Sequence, residues 1–255
     1  MNGVINGGHS NEQTWSYDAE GHLLTSHQAN LNYGANGTLN SGNANDNIWT
    51  YDAKGHPLTH IQTSSNSNGN TLIINNKDEE SWTYDANENA ISHTQTNANW
   101  NGNVWTINNK IDDIWTYDVN HHPLTHVQTN SNPSPVNGNV LTVNNKNEES
   151  WTYDAKGNAI SHTQTNANWN GNVWTINNKM DDTWTYDANN HPLTHVKTNS
   201  NLNGTELFTV NNKIEDAWTY DVNGNQTIHK VTNSSFDATG HLTSENITEN
   251  GSDIN

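Results

Sequence analysis

Six histidines, His60, His93, His126, His162, His195 and His229, each stand eleven residues after a tryptophan. Imidazole binds transition metals and changes charge in mildly acidic solution, so a stripe this regular points to metal binding or pH sensing; the alternative is a set of half-buried cross-strand partners. Acid pairs precede several of the tryptophans, as in Asp112-Asp113, Asp181-Asp182 and Glu215-Asp216, and an Asp follows three residues after the Trp of each Trp-(Thr/Ser)-Tyr-Asp string. Adjacent carboxylates would suit Ca2+, which takes several oxygen ligands. Salt bridges to Lys77, Lys110, Lys146, Lys179 and Lys213 are their more economical use. A second histidine (His22, His56, His122, His191) takes the place seven residues after the Trp, where other copies carry Asn, so two imidazoles and an acid from neighbouring copies form a candidate metal set. No cofactor is expected beyond the Ca2+ that the acid pairs could hold.

Trp100 and Trp169 stand apart from that register, in "NANWNGN" among asparagines and glycine. A surface loop is expected there, and a tryptophan flanked by amides is a platform for a sugar, whose C–H face stacks on the ring while its hydroxyls meet Asn side chains. The candidate glycan site is therefore Trp100 with Asn99 and Asn101, and Trp169 with Asn168 and Asn170; the competing reading is a loop folded back on its own sheet. Trp105 and Trp174 fall in a strand-like segment. No nucleophile–base pair, glycine-rich phosphate loop or unrepeated acid pair stands out, so no enzyme is expected.

The elements that position these groups follow from a tandem repeat. Trp15, Trp49, Trp82, Trp115, Trp151, Trp184 and Trp218 begin copies of Trp-(Thr/Ser)-Tyr-Asp at spacings of 34, 33, 33, 36, 33 and 34 residues. Phe236-Asp237-Ala238-Thr239-Gly240-His241 lies in a partial copy over 232–255, which reads as a cap. Three segments per repeat alternate apolar with polar residues and read as strands: the Trp-x-Tyr segment, "PLTHVQT" and "NVLTVNNK". The first two are joined by four residues such as "AKGH", with Gly or Asn where positive φ is needed, so a tight hairpin is expected; Glu88 and His121 hold that place less comfortably. The expected fold is all-β, an antiparallel meander or hairpin array of about three strands per ~34-residue repeat, in one repeat domain spanning 1–255. Whether it forms an open strip, a spiral shell or a barrel is left open.

An odd strand count would reverse each successive repeat, so repeat n should match n+2 better than n+1. Residues 79–132 and 148–201 agree at 47 of 54 positions. Duplication of a two-repeat unit gives the same pattern.

Composition narrows the function classes. Only 30% of the 255 residues are hydrophobic, 51 are asparagine, and the net charge is −18. That balance suggests disorder, but 11 regularly spaced tryptophans suggest slabs of a thin continuous core, with Trp115 and Tyr117 as core pairs. All 9 basic residues are lysine, and an acidic surface without arginine repels nucleic acid and anionic membranes. There is no cysteine and no apolar run long enough for a signal peptide or a membrane span. Sequons such as Asn36-Gly37-Thr38 and Asn203-Gly204-Thr205 carry little weight in so Asn-rich a chain.

The string Tyr153-Asp154-Ala155-Lys156-Gly157-Asn158-Ala159-Ile160-Ser161, which recurs along nearly the whole chain, resembles the YD repeats of RHS-type bacterial surface and toxin-delivery proteins. The repeat here is longer, with the leading Trp and the Asn-Asn-Lys segment added. The resemblance implies a β-hairpin strip, an extracellular or cell-surface location, and carbohydrate binding or a shell as the role.

The expected function is a non-enzymatic extracellular scaffold for adhesion, its partners being glycans held multivalently. The alternative is a self-assembling fibre or shell subunit that associates through terminal strands and responds to pH through histidine. An ice-binding face on the "WTINNK" and "LTVNNK" rows ranks below both.

Overall fold

The computed structural model describes residues 7–134, 140–202 and 207–251. These residues form fifteen strands: β1 (His9–Tyr17), β2 (Leu23–Tyr33), β3 (Leu39–Tyr51), β4 (Pro57–Asn68), β5 (Thr71–Tyr84), β6 (Ala90–Trp100), β7 (Trp105–Tyr117), β8 (Pro123–Pro133), β9 (Leu141–Tyr153), β10 (Ala159–Trp169), β11 (Trp174–Tyr186), β12 (Pro192–Leu202), β13 (Phe208–Tyr220), β14 (Gln226–Phe236) and β15 (Leu242–Gly251). They make one antiparallel sheet whose spatial order is the chain order, β1 to β15. No helix among the described residues is long and apolar enough to cross a membrane. By packing, the chain divides into two units: Met1–Asp113 with Asn130–Val143, and Ile114–Thr129 with Asn144–Asn255.

The all-β antiparallel meander is as expected, but the strand count is not. Each repeat has two strands, because the segment expected as a third strand runs without a break into the Trp-x-Tyr segment of the next repeat. Thus β9 extends through Asn-Asn-Lys-Asn-Glu-Glu from Leu141 to Tyr153. A strand with water on both faces needs no apolar alternation, so this polar stretch hid its continuity. Two strands restore the direction of every repeat, so the closer match of n with n+2 has no cause in strand direction and fits duplication of a two-repeat unit.

Turn chemistry sets the register of each hairpin. At 154–158 the Asp154 carbonyl accepts the Gly157 N–H at 3.1 Å, and the Asp154 N–H donates to the Asn158 carbonyl at 2.9 Å. Gly157 has φ +87°, a conformation in which an L residue meets its own carbonyl. Glu88, His121 and Asn190 hold the same place at φ 72°, 68° and 70°. With two strands per repeat, all Trp-x-Tyr-Asp turns lie on one edge of the sheet, and the Asn-rich loops lie on the other. The Phe236-Asp237 turn follows β14, an even strand, and so falls on the loop edge.

Expected core pairs such as Trp115 and Tyr117 are half-buried, because no second layer covers them. Among the described residues no large side chain is fully buried. Burial concentrates instead on small residues. In the first unit Ala29, Leu31, Leu39 and Ala44 pack with Tyr33 and Leu72. The residue sixteen places after each Trp is buried every time: Ser65, Ala98, Ser131, Ala167, Ser200 and Ser234 are all 3–5% exposed.

Candidate functional site

One face carries the aromatic and ionisable row. Trp and the His eleven residues later are register partners on adjacent strands, as in Trp49↔His60, Trp82↔His93 and Trp184↔His195. Their rings stack nearly parallel: Trp49–His60 at 3.6 Å, Trp151–His162, Trp184–His195 and Trp218–His229 all at 4.9 Å. In the first unit Trp49 and Trp82 also stack, at 6.4 Å. A cross-strand pair of rings is the sheet's ordinary unit of stabilisation, and stacked Trp adds cation–π attraction whenever the imidazole is charged.

From Trp82 onward the carboxylate two residues before the repeat Trp meets these imidazoles rather than a lysine. In the second unit His126 Nδ1 lies 3.9 Å from Glu149, whose other oxygen is 3.3 Å from His162 Nε2. His162 Nδ1 is 3.6 Å from Asp182, and Asp182 is 2.8 Å from His195 Nε2. His195 Nδ1 is 3.2 Å from Asp216, and Asp216 is 2.8 Å from His229 Nε2. Four imidazoles and three carboxylates therefore alternate across β8 to β14. In the first unit His60 Nε2 meets the Asn47 amide oxygen at 2.9 Å. Glu80 stands 3.9 Å from both His60 and His93, and Asp113 is 3.5 Å from His93 Nδ1. Burial pushes the His60 imidazole below its ordinary value, against Glu80 and Asp78, which raise it. Repeat one departs from the pattern: Ser26 faces Trp15, and His27 pairs instead with Asp46 at 2.6 Å.

The expected lysine partnership holds for the other acid of each pair, three residues before the Trp. Lys77–Glu79 is 3.0 Å, Lys110–Asp112 2.7 Å, Lys146–Glu148 3.0 Å, Lys179–Asp181 2.8 Å and Lys213–Glu215 2.7 Å. Neighbours in the sequence point to opposite faces of a strand, so each acid pair is split between two roles. Among the described residues no three His, Asp or Glu side chains are grouped to hold a metal ion.

On the turn edge the Asp three residues after Trp is a turn anchor. Asp52 Oδ1 accepts the Lys54 and His56 backbone N–H groups at 2.8 and 2.9 Å, and Oδ2 takes His56 Nδ1 at 2.9 Å. The His56 hydrogen bond, opposed by burial and aided by those N–H groups, holds Asp52 at about 2. Asn158 Nδ2 does for Asp154, at 2.9 Å, what His does elsewhere, which explains why Asn and His alternate at that place. The His also lies on the next Tyr, stacked in His22–Tyr51 at 5.0 Å and in His122–Tyr153 and His191–Tyr220 at 4.7 Å, and tilted by 30° in His56–Tyr84 at 4.9 Å. The hydroxyls of Tyr51, Tyr84, Tyr153, Tyr186 and Tyr220 donate to a carbonyl just past the preceding turn, as Tyr153 does to Pro123 at 2.9 Å and Tyr220 to Pro192 at 2.8 Å. The opposite face carries cross-strand hydroxyl pairs such as Thr50–Thr59 and Thr152–Ser161, both 2.6 Å.

Trp100 and Trp169 end strands β6 and β10 instead of sitting in loops, and both are half-buried. Each faces the first residue of the next strand across a four-residue turn: Trp100–Trp105 at 5.5 Å and Trp169–Trp174 at 5.4 Å, both tilted by 55°. Lys77 Nζ lies 5.0 Å over Trp105, and Lys146 Nζ 5.1 Å over Trp174. Asn101 and Asn170 are engaged in the turn: Asn101 Oδ1 accepts the Asn103 and Val104 N–H groups at 3.0 Å, and Asn170 repeats this with Asn172 and Val173 at 3.0 Å. Asn99 and Asn168 are exposed beside the rings. In the second unit an apolar groove beside this turn is lined by Val173, Trp174, Ile176, Leu202 and Phe208. The tilted Trp pair is the feature sequence reading missed, and the recurring five-residue interval between the two tryptophans was its signal. Of the sequons, Asn36 is tied into its turn by Thr38 Oγ1 at 2.6 Å, and Asn203 lies outside the described residues.

No family model and no curated protein matches the sequence. Among solved structures, the chain is similar to a protein of unknown function from Bacteroides fragilis, with 16% identity over 53% of this chain and 89% of that one, TM-score 0.33. A porin-like protein from Bacteroides uniformis aligns at 10% identity over 82% and 90% of the two chains, TM-score 0.18. TcdB2-TccC3-TEV aligns at 11% identity over 94% of this chain and 18% of that one, TM-score 0.13.

Proposed function

We propose that the protein is a non-enzymatic extracellular repeat scaffold of YD-repeat type that binds glycans at the tilted tryptophan pairs. The supporting observation is the Trp100–Trp105 pair in the first unit and its near copy, Trp169–Trp174, in the second. Each offers an open wedge of two indoles with an exposed amide, Asn99 or Asn168, at its side. Rings present C–H stacking surface, amides meet hydroxyls, and two weak sites on one chain gain strength by avidity. Lys77 is occupied by Glu79 at 3.0 Å, so the wedge carries no free positive charge and suits neutral sugars. Tryptophan fluorescence titrated with neutral oligosaccharides tests this. Binding should be lost in Trp100→Ala/Trp169→Ala, and an unchanged titration in that double variant rejects the site.

A second reading, a self-associating subunit, is favoured by β1. Its Trp15 and Tyr17 are 55% and 59% exposed where the equivalent rings elsewhere are half-buried. Exposed aromatic rings of this kind suit a second copy of the sheet. A monodisperse monomer by light scattering from pH 5 to 8 rejects it.

A further inference from the structure

We propose that the histidine–carboxylate row of the second unit is a proton-charged clasp, in which His195 carries protons on both ring nitrogens and its strands tighten as the solution acidifies. The geometry of His195 carries the argument. Its Nε2 is 2.8 Å from Asp182 Oδ1 and its Nδ1 3.2 Å from Asp216 Oδ2. An ionised carboxylate only accepts hydrogen bonds, whereas a neutral imidazole has one N–H and one bare lone pair. A neutral His195 would therefore aim a lone pair at an oxygen anion on one of its two sides, and only the imidazolium satisfies both.

His162 repeats the arrangement more loosely between Glu149 at 3.3 Å and Asp182 at 3.6 Å. Asp182, 4% exposed, is the shared hinge of both imidazoles. Of the other groups facing the row, the Lys197 cation opposes the added charge, while the carboxylates favour it. His195 sees Trp184 from β11 and Asp216 from β13, and Lys197 of its own strand stands opposite Asp182 and Ile214. His162 sees Trp151 from β9 and Asp182 from β11. His229 sees Trp218 from β13 and Asn250 from β15. The added proton on His195 converts an unfavourable lone-pair contact into a charge-assisted hydrogen bond and charges a ring stacked on tryptophan.

The row thus holds its protons more tightly when the strands are paired than when they are apart, and by linkage the pairing strengthens where those protons are available. It makes the second unit firmest in mildly acidic surroundings, although the chain as a whole is rich in acids.

Side-chain 15N spectra of the whole chain at pH 7 test this without any variant. The expected result is two protonated nitrogens on His195 and one bare nitrogen on His60, which meets an amide. A bare nitrogen on His195 overturns the proposal. Unfolding midpoints should also rise from pH 8 to pH 6, and Asp182→Asn/Asp216→Asn should flatten that rise; an unaltered slope in the folded double variant overturns the clasp equally.

Discussion

His60 in the first unit and His195 in the second occupy the same place in the repeat, stack on the same tryptophan position and share a strand register. Their partners differ at both places, and at one of them in charge. His60 has the Asn47 amide at 2.9 Å and Glu80 at 3.9 Å, whereas His195 is gripped by Asp182 and Asp216 at 2.8 and 3.2 Å. Burial then drives the His60 imidazole toward its neutral form. The scaffold is common to both; the charge state it favours depends on the residue two places before the Trp, which is Asn47 in one repeat and Asp182 in another. A repeat array can in this way keep its fold while changing its electrostatics copy by copy.

The largest break in this comparison is expected from Asp182→Ala. It strips two imidazoles of a shared, buried partner and should cost about 3 kcal/mol in urea unfolding; Glu80→Ala, whose contacts are 3.9 Å, should cost well under half as much. Next comes the feature that both units share. Ser65→Leu and Ser200→Leu each force a branched side chain into a column 5% exposed, and each should cost about 2 kcal/mol. A large inequality between them would show that the small-residue column differs between units.

The smallest effect is the most informative. With its pKa below the ordinary 6.5, His60 contributes full stability above pH 6.5. That stability is lost as pH falls through its folded value, because the unfolded chain takes up the proton first. Asn47→Asp gives Nε2 a carboxylate and should remove this loss, raising stability at pH 5.5 by about 0.5 kcal/mol relative to pH 7.5. A change of the opposite sign would mean that His60 stays neutral whatever faces it.

Much of the fold was legible because it is local. Asp154, Gly157 and Asn158 announce a turn through their own backbone needs, and Glu88 and His121 were visible as strained occupants of the same place. Trp-x-Tyr alternation gave the strand period. Strand continuity was hidden at Asn144-Asn145-Lys146-Asn147, where no face is apolar and period-two patterning vanishes. Partners across strands were equally hidden: the regular offset of Asp182 and His195 was visible, but their contact depends on register, which a sheet fixes only in three dimensions. For Trp100, its neighbours in sequence suggested a loop, while its partner Trp105 made it the end of a hairpin.

Every Trp-x-Tyr-Asp turn falls on one edge because a repeat contains an even number of strands. Adding or deleting one whole repeat therefore moves nothing else: turns stay with turns, loops with loops, and each new Tyr finds the carbonyl of its predecessor, much as a zipper can be lengthened by identical teeth. Adding half a repeat would instead transpose the two edges from that point onward, as the half-interval from Asp221 to Asp237 does at the end of this sheet. The length of such an array is thus free to change in evolution, but only in steps of two strands.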